Sequence, residues 1–261
     1  MIIVALSGGK ASAYCADWAL KNYSKEDVLL YFNDTKWEHP DLYRFLNDLS
    51  KYFNKEIFYD SDGRSPEELF YDNRALASNM MPFCSRILKA ERLQKFYKDG
   101  DTLVFGIGLK EKIRANRLVG VYQKVAVKTK KNVKLKFPLV SENVTDEKVN
   151  EFIKQTKIEE PLLYKLGFTH NNCSGGCVRA GKKQWKLLYE KLPEVYKERE
   201  RVEKEVRLFL NKDVHYLKDE TLEHFRHRIE TGQLSNYYKD NNQMDLLEEV
   251  PECIGVCDTL A

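Results

Sequence analysis

The N-terminal part of the chain contains the pattern that most constrains its fold. Residues Ile2 to Leu6 form an apolar run that ends at Ser7-Gly8-Gly9, and a second apolar run follows at Val28 to Phe32. Between them, Ala11 to Tyr23 carries apolar residues at near-helical spacing with no Pro or Gly. Strand, glycine turn, helix and strand in this order form a βαβ unit, in which the two strands run parallel. The sequence therefore predicts an α/β fold: an open, mostly parallel sheet with helices on both faces.

The pattern of elements continues along the chain and changes near Pro138. Before it we predict a helix over Pro40–Phe53, strands over Glu56–Tyr59 and Thr102–Ile107, a helix over Ser85–Lys98, and a hairpin or edge strands over Val121–Val127 and Val133–Phe137. After it we predict helices over Thr145–Thr156, Lys182–Leu192, Glu194–Asn211 and Glu220–Glu230, the third of them a solvated, charged face. We therefore expect a nucleotide-binding α/β domain over 1–140 and a helical C-terminal region over 141–261.

Composition limits the classes of protein that fit. Across 261 residues, 43 Lys and Arg face 40 Asp and Glu, and a net charge of +3 neither requires nor excludes a nucleic-acid partner. No apolar run approaches the roughly 18 residues of a membrane span, and the N-terminus has no basic signal region, so we expect a cytoplasmic protein. In that reducing compartment the six cysteines are packing residues, metal ligands or catalytic thiols, and not a disulfide framework.

The glycine turn, Ser7-Gly8-Gly9-Lys10-Ala11-Ser12, has the chemistry of an anion site. Two glycines let the backbone approach a phosphate closely, and the following helix directs unpaired N–H groups at it. The two serine hydroxyls and the Lys10 charge would add to that attraction. The turn matches neither the Walker A loop nor the Rossmann glycine pattern. The alternative is an ordinary strand-to-helix turn with capping serines.

The same hexapeptide resembles the S-G-G-x-x-S motif of the PP-loop ATP pyrophosphatases, in the adenine nucleotide alpha hydrolase-like superfamily. Four further segments resemble, in order, motifs of the phosphoadenosine phosphosulfate (PAPS) reductase-like branch: the stretch from Phe32 to Pro40, Cys84 to Lys89, Gly106 to Arg117, and Phe137-Pro138-Leu139. The resemblance covers roughly residues 3 to 190. It departs from the family at Ala11, where Asp is common.

The resemblance implies a site that binds ATP with Mg²⁺, or a sulfonucleotide, through the glycine turn. The residues implied to bind the nucleotide are Ser7, Gly8, Gly9, Lys10, Ser12, Asp34, Thr35, Arg86, Lys89, Gly106 and Arg117. Those given a catalytic role are Lys10, Asp34 and Arg114. The alternative for Asp34 and Thr35 is turn and helix-cap chemistry, and for each basic residue alone it is surface solvation.

The cysteines suggest a second centre. Cys173-Ser174-Gly175-Gly176-Cys177 places two thiols where glycines permit a tight turn, and the N-terminus of a following helix would favour thiolates. The resemblance implies that Cys84 joins them around a [4Fe–4S] cluster, although the family spacing is C-x-x-C. The fourth ligand would be Cys253 or Cys257, or three ligands would leave one iron open. Zinc is the competing metal, and the absence of any metal stays open.

Three functions fit these features. The leading hypothesis is an ATP-dependent enzyme that adenylates a substrate and inserts sulfur, with a small molecule or a nucleic acid as acceptor. The second is a PAPS or APS (sulfonucleotide) reductase, although Glu252-Cys253-Ile254-Gly255 departs from that family's E-C-G-[LI]-H motif. The third is a non-catalytic module that binds nucleotides or nucleic acid through the lysines of 124–136. The sulfur donor or reductant stays undetermined, and a homodimer stays open.

Overall fold

A five-stranded parallel sheet forms the centre of the molecule. The computed structural model describes residues 1–234, and its strands are β1 (Ile2–Leu6), β2 (Val28–Asp34), β3 (Ile57–Ser61), β4 (Thr102–Phe105) and β5 (Lys134–Lys136). They lie in the order β3-β2-β1-β4-β5, and every pair is parallel. The strand order reverses next to β1, so the loops that follow β1 and β4 meet at the carboxyl edge, where ligands bind in open α/β sheets.

Helices cover both faces of this sheet. On one face lie α1 (Lys10–Asn22), α2 (Pro40–Phe53) and α8 (Asp146–Thr156), whose apolar side chains share a core with alternate residues of the strands. On the other face lie α5 (Glu91–Phe96) and α6 (Lys112–Thr129). Because the central strands β1, β2 and β4 are buried on both sides, their near-continuous apolar sequences follow from this arrangement. The predicted fold class is confirmed.

The C-terminal helices form a second core with short helices that connect the sheet strands. Helices α10 (Lys182–Lys191), α11 (Pro193–Leu210) and α12 (Leu222–Glu230) pack around the fully buried Trp185. The short helices α3 (Pro66–Asp72), α4 (Phe83–Ser85), α7 (Pro138–Ser141) and α9 (Leu162–Lys165) complete the described elements. Within residues 1–234, no helix combines the length and apolar character needed to cross a membrane.

Two predictions of single elements are wrong: the strand over Val121–Val127 and the uninterrupted helix over Ser85–Lys98. The segment predicted as a strand over Val121–Val127 belongs to the 18-residue helix α6, whose buried residues Leu118, Val121, Tyr122 and Val125 follow helical spacing. The seven residues V-Y-Q-K-V-A-V do not alternate strictly, and the longer window reveals the period of 3.6. Strand β5 therefore has no hairpin partner and pairs parallel to β4.

The helix predicted over Ser85–Lys98 is interrupted. A π-helical turn over Arg86–Ala90 separates α4 from α5, and the chain leaves the helical conformation at Tyr97. A π-helical turn widens the helix by one residue, and it changes the direction of the side chains that it carries. Lys89 lies in this turn and is directed into the protein interior.

Candidate nucleotide site and cysteine cavity

The glycine loop is held in shape by its own serines. The Ser12 hydroxyl accepts a hydrogen bond from the backbone N–H of Ser7 at 3.1 Å and donates one to the carbonyl of Gly9 at 2.9 Å. Gly8 has a φ of +77°, and a Cβ atom there would lie 2.7 Å from the side chain of Leu42. The loop therefore requires glycine at position 8 for its backbone conformation and for its contact with α2. It delivers the open N-terminus of α1 to the carboxyl edge of the sheet.

Gly106 supports this loop from the neighbouring strand. It follows β4, and a Cβ atom at this position would lie 2.7 Å from the backbone nitrogen of Ser12 and 2.9 Å from the carbonyl carbon of Ala11. Only a residue without a side chain allows β4 and the start of α1 to approach so closely. The sequence predicted Gly106 as a nucleotide-binding residue, and the structure places it directly behind the glycine loop.

Lys10, the first residue of α1, reaches toward the segment that follows α8. Its ammonium group lies 2.5 Å from a carboxylate oxygen of Glu160 and 4.4 Å from the centre of the Tyr164 ring. The lysine charge is thus already balanced by an acidic side chain at the edge of the site. A phosphate that engages Lys10 has to compete with Glu160 for it.

The end of β2 contributes Asp34 and Thr35. One carboxylate oxygen of Asp34 accepts hydrogen bonds from the backbone N–H of Lys36 and from the Tyr43 hydroxyl, both at 2.8 Å. The buried Thr35 hydroxyl donates to Glu38 at 3.0 Å. The turn chemistry considered as the alternative is therefore present at both residues. It also fixes their position beside the glycine loop, at the carboxyl edge of neighbouring strands β1 and β2.

Three of the predicted cysteines line one cavity. Cys84, Cys173 and Cys177 come from two segments that are far apart in sequence, and they surround this cavity together with Thr35 and Lys89. Its wall also includes Trp37, Pro66, Pro82, Ser85, Leu88, Val178 and Arg179. The cavity is thus bounded by the end of β2, by the π-helical turn and by the cysteine loop.

Glu38 joins these three elements. Its carboxylate is almost fully buried, and it accepts hydrogen bonds from the backbone N–H of Cys173 at 2.6 Å and from the Thr35 hydroxyl at 3.0 Å. The ammonium group of Lys89, also buried, lies 3.4 Å from the same carboxylate. A buried carboxylate is tolerated only when it is paired and hydrogen-bonded, and Glu38 meets both conditions.

The cysteine loop is also bonded to the glycine loop. The side-chain amide of Asn171 donates a buried hydrogen bond to the carbonyl of Gly8 at 2.8 Å. Three residues further, the Ser174 hydroxyl donates to the carbonyl of Trp37 at 2.9 Å. These bonds fix the cysteine cavity beside the candidate nucleotide site. The two sites are therefore joined by direct hydrogen bonds.

The local environment of Cys173 differs from the prediction. A single 3₁₀ turn covers Cys173–Gly175, and α10 begins only at Lys182, so no helix N-terminus follows the two cysteines directly. The Cys177 thiol, burial and the Glu38 carboxylate raise the pKa of Cys173 well above its usual value, while Lys89 lowers it. The expectation that a helix would favour a thiolate here is wrong, because burial next to a carboxylate favours the protonated thiol.

Comparison with known families agrees with this arrangement. Residues 1–179 match the family model of the phosphoadenosine phosphosulfate reductase domain, which covers the whole sheet and both cysteines of the loop. The chain belongs to this family. No curated protein and no solved structure matches the chain significantly. The resemblance to the PAPS reductase-like branch of the PP-loop superfamily is therefore confirmed.

Within this PAPS reductase-family domain, the predicted basic residues occupy different environments. Arg86 pairs with Glu91 at 2.6 Å, and the buried Arg114 pairs with Glu111 at 2.7 Å in the first turn of α6. Arg117 is exposed on the outer face of α6. Of Arg86, Lys89, Arg114 and Arg117, only Lys89 lines the cysteine cavity.

The thiols of the PAPS reductase-family domain suit a soft metal by type, but they do not form a site for a single ion. Among residues 1–234, no group of three or more His, Cys, Asp or Glu side chains is arranged to hold one metal ion. Cys253 and Cys257 lie outside the described residues. Three thiols on one cavity form a donor set that suits an iron–sulfur cluster, whose thiolate ligands bind different irons.

Some residues at the site were missed by sequence reasoning. Arg199 belongs to α11, which was predicted to be a solvated face, yet its guanidinium lies 3.6 Å from the centre of the Trp37 ring and is buried. Its Nε makes no hydrogen bond within the described chain. Glu38 was part of a segment used for the resemblance and Asn171 preceded the cysteine motif, but no role was assigned to either residue. No local sequence signal separates Arg199 from the exposed, paired Arg201 of the same helix.

Proposed function

We propose that this protein is an ATP-dependent enzyme that adenylates its substrate and then exchanges the activated oxygen for sulfur. The observation that carries this proposal is the direct connection between the two loops. Asn171 of the cysteine loop binds the carbonyl of Gly8, and Glu38 binds the backbone of Cys173. A nucleotide loop and three thiols on an adjacent cavity suit a reaction in which phosphate activation is followed by sulfur transfer.

In the first step, the glycine loop would hold the pyrophosphate part of ATP. The N-terminal N–H groups of α1 and the Lys10 ammonium, released from Glu160, would stabilise the charge that develops on the leaving pyrophosphate. The second carboxylate oxygen of Asp34, which accepts no hydrogen bond within residues 1–234, would hold Mg²⁺. A substrate carbonyl oxygen would attack the α-phosphorus, and the P–O bond to pyrophosphate would break.

In the second step, a donor at the oxidation level of sulfide would attack the activated carbon. A C–S bond forms, the C–O bond breaks, and the oxygen leaves with AMP, so that the sum is substrate, ATP and hydrosulfide giving thio-substrate, AMP and pyrophosphate. No net oxidation or reduction occurs. The cavity beside Thr35 is apolar along much of its wall, which would limit the competing attack by water.

Cys84, Cys173 and Cys177 are the residues that would hold an iron–sulfur cluster. When bound, the cluster would supply an iron that can carry the sulfur donor. The raised pKa of Cys173 means that ligation has to displace a proton, with Lys89 compensating part of the thiolate charge. Arg199, which lies behind the cysteine loop against Gly176, adds a second buried positive charge to this environment.

Anaerobic purification followed by iron and sulfide analysis tests this assignment. We expect about four irons and four sulfides per chain, the content of one [4Fe–4S] cluster. Each of the variants Cys84→Ser, Cys173→Ser and Cys177→Ser should retain less than about half of that iron, since thiolates are the ligands of such clusters. Cys15→Ala is the matched control, because Cys15 lies in the core of the sheet domain and its thiol faces the carbonyl of Phe105. Stoichiometric zinc, or full iron in all three serine variants, would contradict the assignment.

Sulfonucleotide reduction is the second candidate, because the matching family is defined by PAPS reductase domains. In that reaction the sulfonucleotide occupies the glycine loop and ATP is not consumed. Incubation with PAPS and a thiol reductant separates the two functions. Sulfite release that requires Cys253 and does not respond to ATP would favour reduction. Release of AMP and pyrophosphate from ATP, in the presence of sulfide and an acceptor, would favour adenylation.

A further inference from the structure

One segment of the chain carries a charge distribution that the candidate site does not explain. From residue 112 to residue 141 the sequence contains no Asp or Glu, although acidic residues nearly balance basic ones over the whole chain. The basic residues in the segment are Lys112, Arg114, Arg117, Lys124, Lys128, Lys130, Lys131, Lys134 and Lys136. In three dimensions the segment is helix α6, the turn after it, the edge strand β5 and the short helix α7.

Five of these side chains form what we call the basic face: Arg117, Lys124 and Lys128 on one flank of the exposed surface of α6, Lys112 on its other flank, and Lys130 in the turn after the helix. Lys112, Arg117, Lys124, Lys128 and Lys130 are exposed, and within residues 1–234 none of them makes an ion pair. Arg117, Lys124 and Lys128 are spaced by seven and four residues, which places them on one side of α6. Lys134 and Lys136 are excluded, because Leu135 packs toward α6 and its neighbours therefore point to the opposite side of the sheet.

Helix α11, which carries five basic residues like α6 but also five acidic ones, shows that this lack of partners is not a general property of the surface. Arg201 pairs with Glu198, Glu205 and Glu67, and Lys197 pairs with Glu194. There the charges of the protein largely compensate one another. On the basic face they do not, so the positive potential extends into the solvent.

The basic face leads to the candidate site. Helix α6 starts close to the carboxyl edge, a few residues after Gly106, and runs to the opposite edge of the sheet. From Lys112 to Lys128 it spans about 24 Å at 1.5 Å per residue. A polyanion that follows this helix would therefore have one part near the glycine loop and would contact the remaining cations along its length.

We infer that the basic face is a docking surface for double-stranded DNA. Duplex DNA carries one negative charge per about 1.7 Å of its axis, which offers a partner for every cation along α6. A second copy of this chain is a poor occupant, since a two-fold interface would place the same five cations against each other. Between the two flanks, the exposed side of α6 carries Gly120, where a Cβ atom would meet nothing within 4 Å, and the exposed apolar side chains of Ile113 and Val127.

The shape of the surface favours a DNA duplex over other nucleic acids. The basic face has no exposed aromatic side chain on which an unpaired base could stack, because Tyr122, the one aromatic residue of α6, is buried. Its exposed element is an 18-residue helix, and the B-form major groove is wide enough to admit a helix. The A-form major groove of double-stranded RNA is too narrow for one.

DNA as the acceptor of the sulfur chemistry rests on the proposed function, but DNA binding itself does not. Fluorescence anisotropy with a labelled 20-base-pair duplex, without ATP, therefore tests the docking surface alone. For the full chain we expect saturable binding whose affinity falls as NaCl rises from 50 to 200 mM, with a slope of about 0.9 per phosphate contact in a plot of log affinity against log salt. The double variant Lys124→Gln/Lys128→Gln should bind at least about tenfold more weakly, and its salt slope should be lower by about two.

The matched control is Lys197→Gln/Lys204→Gln on α11, which changes the net charge equally, from +3 to +1, and should keep the wild-type affinity and slope. Equal losses in both double variants would overturn the assignment, since bulk charge would then explain binding. Tighter binding of a single strand or of duplex RNA would also overturn it. A full chain that does not bind DNA would overturn the assignment as well. Another occupant, such as a second copy or the acidic segment 235–261, would then be the partner of the basic face. Failure of ATP to yield AMP would affect the proposed function only.

Discussion

Gly106→Ala is expected to weaken ATP binding at least about tenfold and to lower the free energy of unfolding by about 2 to 3 kcal/mol. The added methyl group would lie 2.7 to 2.9 Å from backbone atoms of Ala11 and Ser12, and backbone cannot rotate away as a side chain can. The start of α1 would therefore have to move. Because Ser12 holds the glycine loop through Ser7 and Gly9, the phosphate cradle would move with it.

The neighbouring glycine supplies the control for this prediction. At Gly108 an added Cβ atom meets nothing within 4 Å, and the residue has a φ of −72°, which alanine adopts easily. Gly108→Ala should therefore leave ATP affinity and stability nearly unchanged. Isothermal titration with ATP and chemical denaturation of both variants give the two quantities. Normal ATP affinity in a folded Gly106→Ala protein would show that the nucleotide does not depend on this loop.

The fold was predictable from sequence because its determinants are local. The apolar runs of β1 and β2, the glycine turn between them and the capped helices each carry their own signal, and parallel βαβ units connect them in only a few ways. Helix α6 shows where this reasoning fails. Half of its 18 residues are apolar, and some of these, such as Ile113 and Val127, are exposed, so a short window suggested an edge strand instead.

The site was only partly predictable, because its most connected residues act over long sequence distances. The glycine loop and the cysteines are recognisable as short motifs. Glu38 gains its role only when Cys173, 135 positions away, donates a hydrogen bond to it. Arg199 is one of many charged residues in α11, and only the packing of that helix against Trp37 separates it from the exposed ones. Such roles arise from tertiary contacts, and a single sequence does not encode them locally.

Glu38→Ala is expected to have the largest effect on stability, a loss of about 3 to 5 kcal/mol in the free energy of unfolding. The substitution removes a buried carboxylate that lies against the Lys89 ammonium, and it leaves the buried N–H of Cys173 without its acceptor. It also frees the cysteine loop from the end of β2, so iron content after anaerobic purification should fall together with stability. Urea denaturation monitored by tryptophan fluorescence measures the loss, because Trp37 adjoins the cavity.

Two further variants decide whether this loss reflects the network or merely a missing charge. Glu38→Gln keeps an oxygen that can accept from Cys173 but lacks the charge that faces Lys89, so it should retain part of the lost stability. Glu190→Ala removes a carboxylate from an exposed i,i+4 pair with Lys186, and it should change stability by less than about 0.5 kcal/mol. A loss below about 1 kcal/mol in Glu38→Ala would show that the cysteine loop is held in place by its other contacts. The bond between Asn171 and Gly8 would then be the main link between the two halves of the site.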